Sequence, residues 1–456
     1  MNKTTDMIVI GAGFAGLACA TALTEAGARV QVLEASGAPG GRAGSFREPS
    51  TGQLVDVGQH LLVGANRNAL RLLERLGSRG RLTLQRSLDI PYAWPGGRRE
   101  RLSCPPLPSP LHLAAGLMRF GAVPVRERLA AVRVGRAARR LGRNSAFRAD
   151  APRAGETVSA WLGRLGQGAG MRRLLWEPLA VAALNDTPER AAASLFARVL
   201  AETFTGGRAA SGLGWARGPL RDLVDIAGLW LNARGGALYC SRPAERLLFE
   251  GDHVRAVLLR DGTELQAGSF VSAVPARSLL HILAGAPAAL SPLVETCGRF
   301  AHRNTPVLSV YLWSDEPIFE GPLCALPEGP FPWIFARQLA DATHEHPRGT
   351  WIQTLILSGA RGWMERTDAD VLQIARRQLE STFPGSTARL RHARVVRQPA
   401  ATFEPAPDLL AHRPPAATAC ANLWLAGDWT DTGLPSTLEG AARSGHTAAR
   451  AILSAR

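Results

Sequence analysis

Met7-Ile8-Val9-Ile10-Gly11-Ala12-Gly13-Phe14-Ala15-Gly16 is the stretch whose reading decides the fold. A short apolar run ends in glycines. Leu17, Ala20, Leu23 and Thr24 follow at helical spacing, and Val30, Val32 and Leu33 form a second apolar run, so the pattern predicts a β-α-β unit. Glycines at 11, 13 and 16 allow a tight turn, close approach of a pyrophosphate and close packing of helix on strand. The unpaired N–H groups at the helix start then face the negative charge. Glu34 closes the second strand 18 residues after Gly16, where a carboxylate accepts hydrogen bonds from both hydroxyls of a ribose. A 2′-phosphate would be repelled there, which disfavours NADP.

Outward from this unit, 456 residues exceed what one core usually organises, so two domains are expected. An apolar fraction of 46% with only 20% charged residues argues for sizeable buried cores rather than disorder. The net charge of +15 is almost wholly arginine, because Lys3 is the only lysine. Such a balance suits nucleic acid, an anionic membrane surface or an acidic substrate, and a bias toward arginine codons explains it equally well. No nucleic-acid recognition motif or aromatic-interleaved basic run accompanies the charge, so no nucleic-acid partner is expected. The six cysteines lie far apart, without a C-x-x-C pair or a histidine cluster at metal-ligand spacing, and read as reduced thiols with no metal. Met1 to Asp6 lead straight into the first strand, leaving no room for a signal peptide, and no apolar stretch is long enough to span a bilayer. The expectation is a cytoplasmic protein.

Farther along, Leu238 and Tyr239 after Gly235-Gly236, Val254 to Leu259 with a turn at Asp261-Gly262, and Phe270 to Val274 predict a second strand-rich region. Leu423 to Ala426 predicts a third strand, ending in Gly427-Asp428, with a helix from Thr437. Residues 105–232 are rich in Arg and Leu with helical periodicity. Residues 290–410 mix strand-like runs, Val307 to Trp313 and Trp351 to Leu357, with helices and loops. No internal repeat is visible.

Seven residues beyond Glu34, Gly41-Arg42 stands within Pro39-Gly40-Gly41-Arg42. With the glycine turn and Glu34 before it, the sequence here resembles the FAD-dependent amine-oxidase superfamily. The resemblance implies FAD as the cofactor, with Arg42 over its pyrophosphate, where a guanidinium binds in a bidentate way. Ser241-Arg242-Pro243-Ala244 looks like the family's return strand beside the adenine. Leu425-Ala426-Gly427-Asp428 is similar to its second FAD motif, and Pro435-Ser436-Thr437 to the start of the helix aimed at the flavin N1 and C2 carbonyl, with Leu438 next. The implied fold class is α/β: a Rossmann-type FAD-binding domain assembled from three segments (1–100, 233–288 and 415–456), plus a mixed α+β substrate domain from 101–232 and 289–414.

Amine oxidation gives the superfamily its name, yet its enzymes typically hang a water near flavin N5 on a lysine, and Lys3 precedes the first strand. Three tyrosines also offer little material for an aromatic cage around an amine. Asp56-Val57-Gly58-Gln59-His60-Leu61-Leu62, Pro178 to Asn185, Gly427-Asp428-Trp429-Thr430 and Gly433 to Gly440 instead resemble the squalene-associated branch, the hydroxysqualene dehydroxylase family of hopanoid synthesis. Val57 stands where that pattern has Asn. The resemblance implies reductive removal of an allylic hydroxyl from a C30 isoprenoid, with a hydride from flavin N5, a proton for the leaving group and a dry tunnel. The electron donor that re-reduces the flavin has no signature in the sequence. Besides Gly11, Gly13, Phe14, Ala15, Gly16, Glu34, Gly41 and Arg42, the implied cofactor contacts include Gly58, Gln59, His60, Pro243, Gly427, Asp428, Ser436, Thr437 and Leu438.

His60, Gln59 and Asp56 are the catalytic candidates. An imidazole near pKa 6.5 can give the proton, or His60 can merely hydrogen-bond backbone or flavin; Asp56 orients the loop or acts as an acid. Trp176, Trp313, Trp333 and Trp351 line the tunnel or fill the core, and Asn185 and Asp186 bound the substrate pocket or cap a helix. The apolar run Leu107 to Leu117, followed by Arg119, Arg126, Arg128, Arg133, Arg136, Arg139, Arg140 and Arg143 against a lone Glu127, fits docking on the inner face of a membrane or a solvated basic helix. A carotenoid-type desaturase, running hydride transfer in the opposite direction, and a non-catalytic FAD scaffold are the competing readings.

Overall fold

The computed structural model describes residues 5–141, 150–339 and 349–455. Lys3 and Arg143, and with Lys3 the other residues before Thr5, lie outside them. A five-stranded parallel sheet takes the order Ala237–Tyr239, Val30–Leu33, Met7–Ile10, Ser269–Ser272, Leu423–Leu425. Met7–Ile10 is buried at every position, the apolar run that a parallel strand covered on both faces requires. Side chains alternate between the faces. Met7 and Val9 join Leu17, Leu23, Ala448 and Ile452 beneath helices Phe14–Glu25 and Leu438–Ala455. Ile8 and Ile10 face Val257, Leu279 and Phe300, on an antiparallel unit (Ala244–Glu250, His253–Leu259, Glu264–Leu265) and helices Ala276–Ile282 and Ser291–Ala301.

The C-terminal helix can pack there because of one residue. A Cβ placed on Gly445 would lie 2.1 Å from the Ala15 carbonyl oxygen and 2.8 Å from the Cys19 nitrogen. Helices Phe14–Glu25 and Leu438–Ala455 therefore approach backbone to backbone, a contact that the helical pattern after Thr437 did not reveal.

A second sheet of seven strands has the order Leu390–Phe403, Asn304–Ser314, Trp351–Ser358, Trp333–Gln338, Leu323–Ala325, Asp89–Ala93, Arg99–Ser103. Its last two strands correct the sequence reading. The boundary expected at residue 100 cuts a hairpin that pairs Asp89 with Ser103 and Ala93 with Arg99, because that hairpin joins the larger sheet through Tyr92 and Ala325. Likewise Leu220, Leu223, Val224, Ala227 and Leu231 are buried in the core of the parallel sheet, so the boundary expected at 233 falls too late. Helical periodicity is expected over 105–232, and no strand is expected over 89–103. Which core these segments join depends on contacts with residues far away in the chain.

Helices Leu111–Arg119 and Val125–Leu141 follow the larger sheet's hairpin. The second buries Ala131, Val134, Ala137 and Ala138, while Val125, Leu129 and Val132 form a separate outward stripe at i, i+4, i+7. Leu111 and Leu129 are 58% and 57% exposed, values that mark an uncovered apolar patch. Arg128 joins the two helices by donating to the carbonyls of Val123 and Met118. No helix among the described residues is long and apolar enough to cross a membrane.

Gly445→Val forces a side chain into the helix crossing and is expected to destabilise the protein by about 1–3 kcal/mol, read as a lower urea midpoint with unchanged m-value.

Candidate active site

A cavity of about 710 Å³ opens where the strands Met7–Ile10, Val30–Leu33 and Ser269–Ser272 end at their C-terminal edge, the place where open α/β sheets bind ligands. Gly11 has φ +103°, accessible to glycine, and a Cβ on Gly16 would sit 1.9 Å from the Gly11 carbonyl oxygen. A Cβ on Gly13 would meet nothing within 4 Å, so this glycine leaves room in the cavity instead of relieving a clash. Helix Phe14–Glu25 has no side-chain cap, and its first amides lie at the lining residues Phe14 and Ala15. Glu34 is buried and oriented from both sides: one oxygen accepts from the Ala12 N–H at 2.8 Å, the other from the Ser36 N–H at 2.8 Å and hydroxyl at 2.7 Å.

The turn through Gly40 and Gly41, with φ +117° and +57°, runs against Gly13 and carries Arg42. Arg42 does not reach out alone. Its guanidinium donates to Asp428 Oδ1 at 2.5 Å, to Ser436 Oγ at 3.2 Å and to the Ala401 carbonyl at 3.1 Å. Burial raises the Asp428 carboxyl, yet the Arg42 charge and hydrogen bond, with Ser436 and Arg413, outweigh it and hold Asp428 below the usual carboxylate range. The two motifs expected each to hold cofactor are thus directly paired. Thr437 caps the last helix by accepting from the Gly440 N–H at 3.0 Å, which leaves Ser436, Thr437 and Leu438 on the lining. Pro243 and Gly427 line the same cavity. A cradle cleared of side chains, free helix amides, an arginine and the Glu34 carboxylate on the lining suit a dinucleotide.

Two residues supporting this site were not among those singled out from the sequence. Arg413, buried, donates to the carbonyls of Asp428 and Leu434, each at 2.7 Å, and to the Thr432 hydroxyl at 2.8 Å, tying down the loop after the last strand; burial pulls its guanidinium down to about 10. Glu439, buried, accepts from the N–H groups of Asn68 and Ala69 and from the Asn68 amide, capping helix Arg67–Leu76. A glutamate near a helix start looks ordinary until a second helix is brought to it.

A smaller cavity of about 180 Å³ adjoins the first, sharing Arg42, His60, Thr402 and Ser436 to Leu438 with it. Gly58, Gln59 and His60 line it, as does Val57. Half-buried His60 places Nε2 3.4 Å from the Arg42 carbonyl, which can only accept, so the imidazole donates weakly. Burial, aided by the nearby Arg42 charge, depresses its pKa to about 4 despite that hydrogen bond. That direction favours the second of the two roles expected for His60, a neutral group that hydrogen-bonds, over the protonated acid.

Asp56 lines neither of these cavities. It faces a third, of about 340 Å³, which also holds Gln59, Trp215, Arg337 and Trp351. Its carboxylate accepts from Ser45 Oγ at 2.6 Å and from the Leu220 N–H at 2.8 Å, while its carbonyl accepts from the Tyr311 hydroxyl at 2.6 Å. These bonds make Asp56 a brace between loop and sheet, and burial holds its carboxyl above the usual range. The tryptophans divide. Trp176 and Trp313 are buried with their indole N–H groups on Gln167 and Gln53, whereas Trp333 and Trp351 line cavities. Asn185 both caps and lines: at φ +56° it ends helix Glu177–Leu184, and its amide bonds the Thr305 carbonyl, Thr402 Oγ1 and the Gly359 N–H. Asp186, fully buried, pairs with Arg361 at 2.8 Å.

Asp428→Asn leaves Arg42 without its anion beside the cavity. Allowing for the exposure of Arg42, the loss expected is on the order of 1–2 kcal/mol, read as a lower melting temperature in protein stripped of cofactor.

The family described as Flavin containing amine oxidoreductase matches residues 14–453. The hydroxysqualene dehydroxylase of Rhodopseudomonas palustris is 30% identical over 100% of this chain and 99% of its own length. The 15-cis-phytoene desaturase of Synechococcus elongatus is 24% identical over 98% and 95%. An oxidoreductase from Methanosarcina mazei shares the fold, with TM-score 0.72 at 15% identity over 98% of this chain and 100% of that one. The chain belongs to the flavin-containing amine oxidoreductase family and is an FAD-dependent oxidoreductase.

Proposed function

We propose that this enzyme removes the hydroxyl of hydroxysqualene to give squalene, with FAD held between Glu34, the Gly13 turn, Arg42 and the Thr437 helix start. In this reading the parallel sheet and the chain packed on it form the cofactor domain, and the seven-stranded sheet with helices 111–205 forms the substrate domain. The observation that carries it is the small cavity beside the cofactor site, walled by Val181, Ala182, Ala183, Val307, Phe335 and Ile356, with Arg42 the one charged residue on its described lining. An ammonium group would find no carboxylate there; an isoprenoid chain finds apolar wall. Full-length similarity to hydroxysqualene dehydroxylase supports the same substrate class.

When bound and reduced, FAD supplies a hydride to the allylic carbon as the C–O bond breaks and the hydroxyl leaves with one proton as water, and an external reductant restores it. The chain's own part is to bind, orient and exclude water. Asn185 holds the strand ends carrying Thr305 and Thr402, and the apolar walls keep water from the reacting carbon. Neutral His60 acts as a hydrogen-bonding group. His60→Gln, which keeps an N–H donor, is expected to retain at least about a tenth of the rate, and His60→Ala to lose more. The rate should show no inflection near pH 6.5; a fall in activity above that value would restore His60 as the acid.

The test of the reaction is an anaerobic single turnover. Holoenzyme reduced with dithionite is mixed with hydroxysqualene while flavin absorbance and products are followed. Reoxidation with stoichiometric squalene is expected. Oxidised enzyme bleached by squalene or phytoene would assign a desaturase instead.

The outward stripe Val125, Leu129 and Val132, with Leu111, is flanked by exposed Arg119, Arg126, Arg133, Arg136 and Arg139, and in this proposal it rests on an anionic bilayer. Charge complementarity selects this occupant. Wild-type protein should float with phosphatidylglycerol vesicles in a salt-sensitive way, and Leu111→Asp with Leu129→Asp should reduce binding about tenfold; equal binding of both proteins would remove the proposal.

A further inference from the structure

The cavity beside the cofactor site and the one faced by Asp56 meet at two residues, Gln59 and Phe335, which line both. Close to this junction a donor is left over. Trp333 Nε1 is buried without a hydrogen-bond partner, on a residue that is 8% exposed and stands two positions from Phe335 on the same strand face. Buried indole N–H groups ordinarily find an acceptor, as those of Trp161, Trp176, Trp313 and Trp429 do here. The Gln59 side-chain amide is half-buried on the same lining, and its carboxamide adds a second donor with an acceptor.

We infer that the junction is an oxygen-recognition subsite, in which the Trp333 indole N–H and the Gln59 amide hold the hydroxyl of a long-chain isoprenoid alcohol. The inference rests on the reaction proposed above and adds to it a source of discrimination between substrate and product. An alcohol satisfies the buried donor. A hydrocarbon of the same length leaves it unpaired, as it is in the free protein, and so lacks the gain that the alcohol makes. The product therefore loses the contact that held its precursor and is released in preference to it. Apolar walls alone would bind the hydrocarbon at least as well as the alcohol, because they gain nothing from the oxygen. Trp333 and Gln59 are positioning residues in this scheme: the proton and hydride move elsewhere.

Binding can be read without turnover, on oxidised holoenzyme, from the perturbation of the flavin spectrum as hydroxysqualene or squalene is titrated in. Wild-type enzyme is expected to bind the alcohol about five- to tenfold more tightly than the hydrocarbon. Trp333→Phe removes the N–H and keeps an aromatic wall, and Gln59→Met removes the amide and keeps its length. Each should reduce the preference, mainly by weakening the alcohol, and the double variant should abolish it. Circular dichroism and retained FAD verify that the variants are folded. Equal affinity of wild type for both ligands, or variants that weaken both ligands alike, would overturn the subsite. A flavin that is never reoxidised by the alcohol, while the binding preference and its loss in the variants persist, would overturn the reaction and leave the subsite standing.

Discussion

Arg42 and Asp428 stand 386 residues apart and share a hydrogen bond at 2.5 Å, and the site depends on that closure. One belongs to the glycine turn after the first β-α-β unit, the other to the loop after the last strand of the parallel sheet. Asp428 is buried, so its charge persists because Arg42, Ser436 and the neighbouring Arg413 compensate the lost solvation. Arg413 carries the same constraint farther, since its guanidinium is spent on backbone carbonyls of the loop that Asp428 begins. A charge-assisted network with its donors occupied fixes geometry more firmly than apolar contact does.

Packing makes the closure reachable. Gly445 lets the last helix lie backbone to backbone on the first, which brings Thr437 and the helix start to the glycine turn. Glu439 then takes up the unpaired amides of helix Arg67–Leu76. Each device joins the C-terminal segment to the N-terminal unit, so a cofactor cavity built from distant segments behaves as one surface.

The chemistry that family membership permits is narrowed by what surrounds that surface. The second sheet contributes Trp333, Phe335 and Ile356 to an apolar cavity contiguous with the cofactor site. Several of its polar groups are committed elsewhere: Asn185 and Thr402 to each other, Arg42 to Asp428 and Ser436, His60 to a carbonyl. An environment of this kind suits a reaction in which the cofactor performs the bond changes and the protein limits solvent and orients the substrate.

Much of the parallel sheet was legible from the chain alone, because its strands are short apolar runs, though their order came only from the structure. Gly11 and Glu34 were legible for the same reason: glycine at φ +103° and a carboxylate at a strand end are local requirements that leave local traces. Other features had no trace. The hairpin 89–103 was not read from the sequence, and pairing through Tyr92 and Ala325 decides that it extends the larger sheet. A histidine has one ordinary pKa in a sequence; burial beside Arg42 moves that of His60 to about 4. Tryptophans look alike until their N–H groups find partners, which separates Trp176 and Trp313 in the core from Trp333 on a cavity wall. The sequence by itself determined the fold class and the glycine turn that opens the first helix, since those rest on backbone geometry and local pattern. The tertiary structure alone decided pairing and which side of a wall each residue faces, since these depend on neighbours brought together from distant parts of the chain.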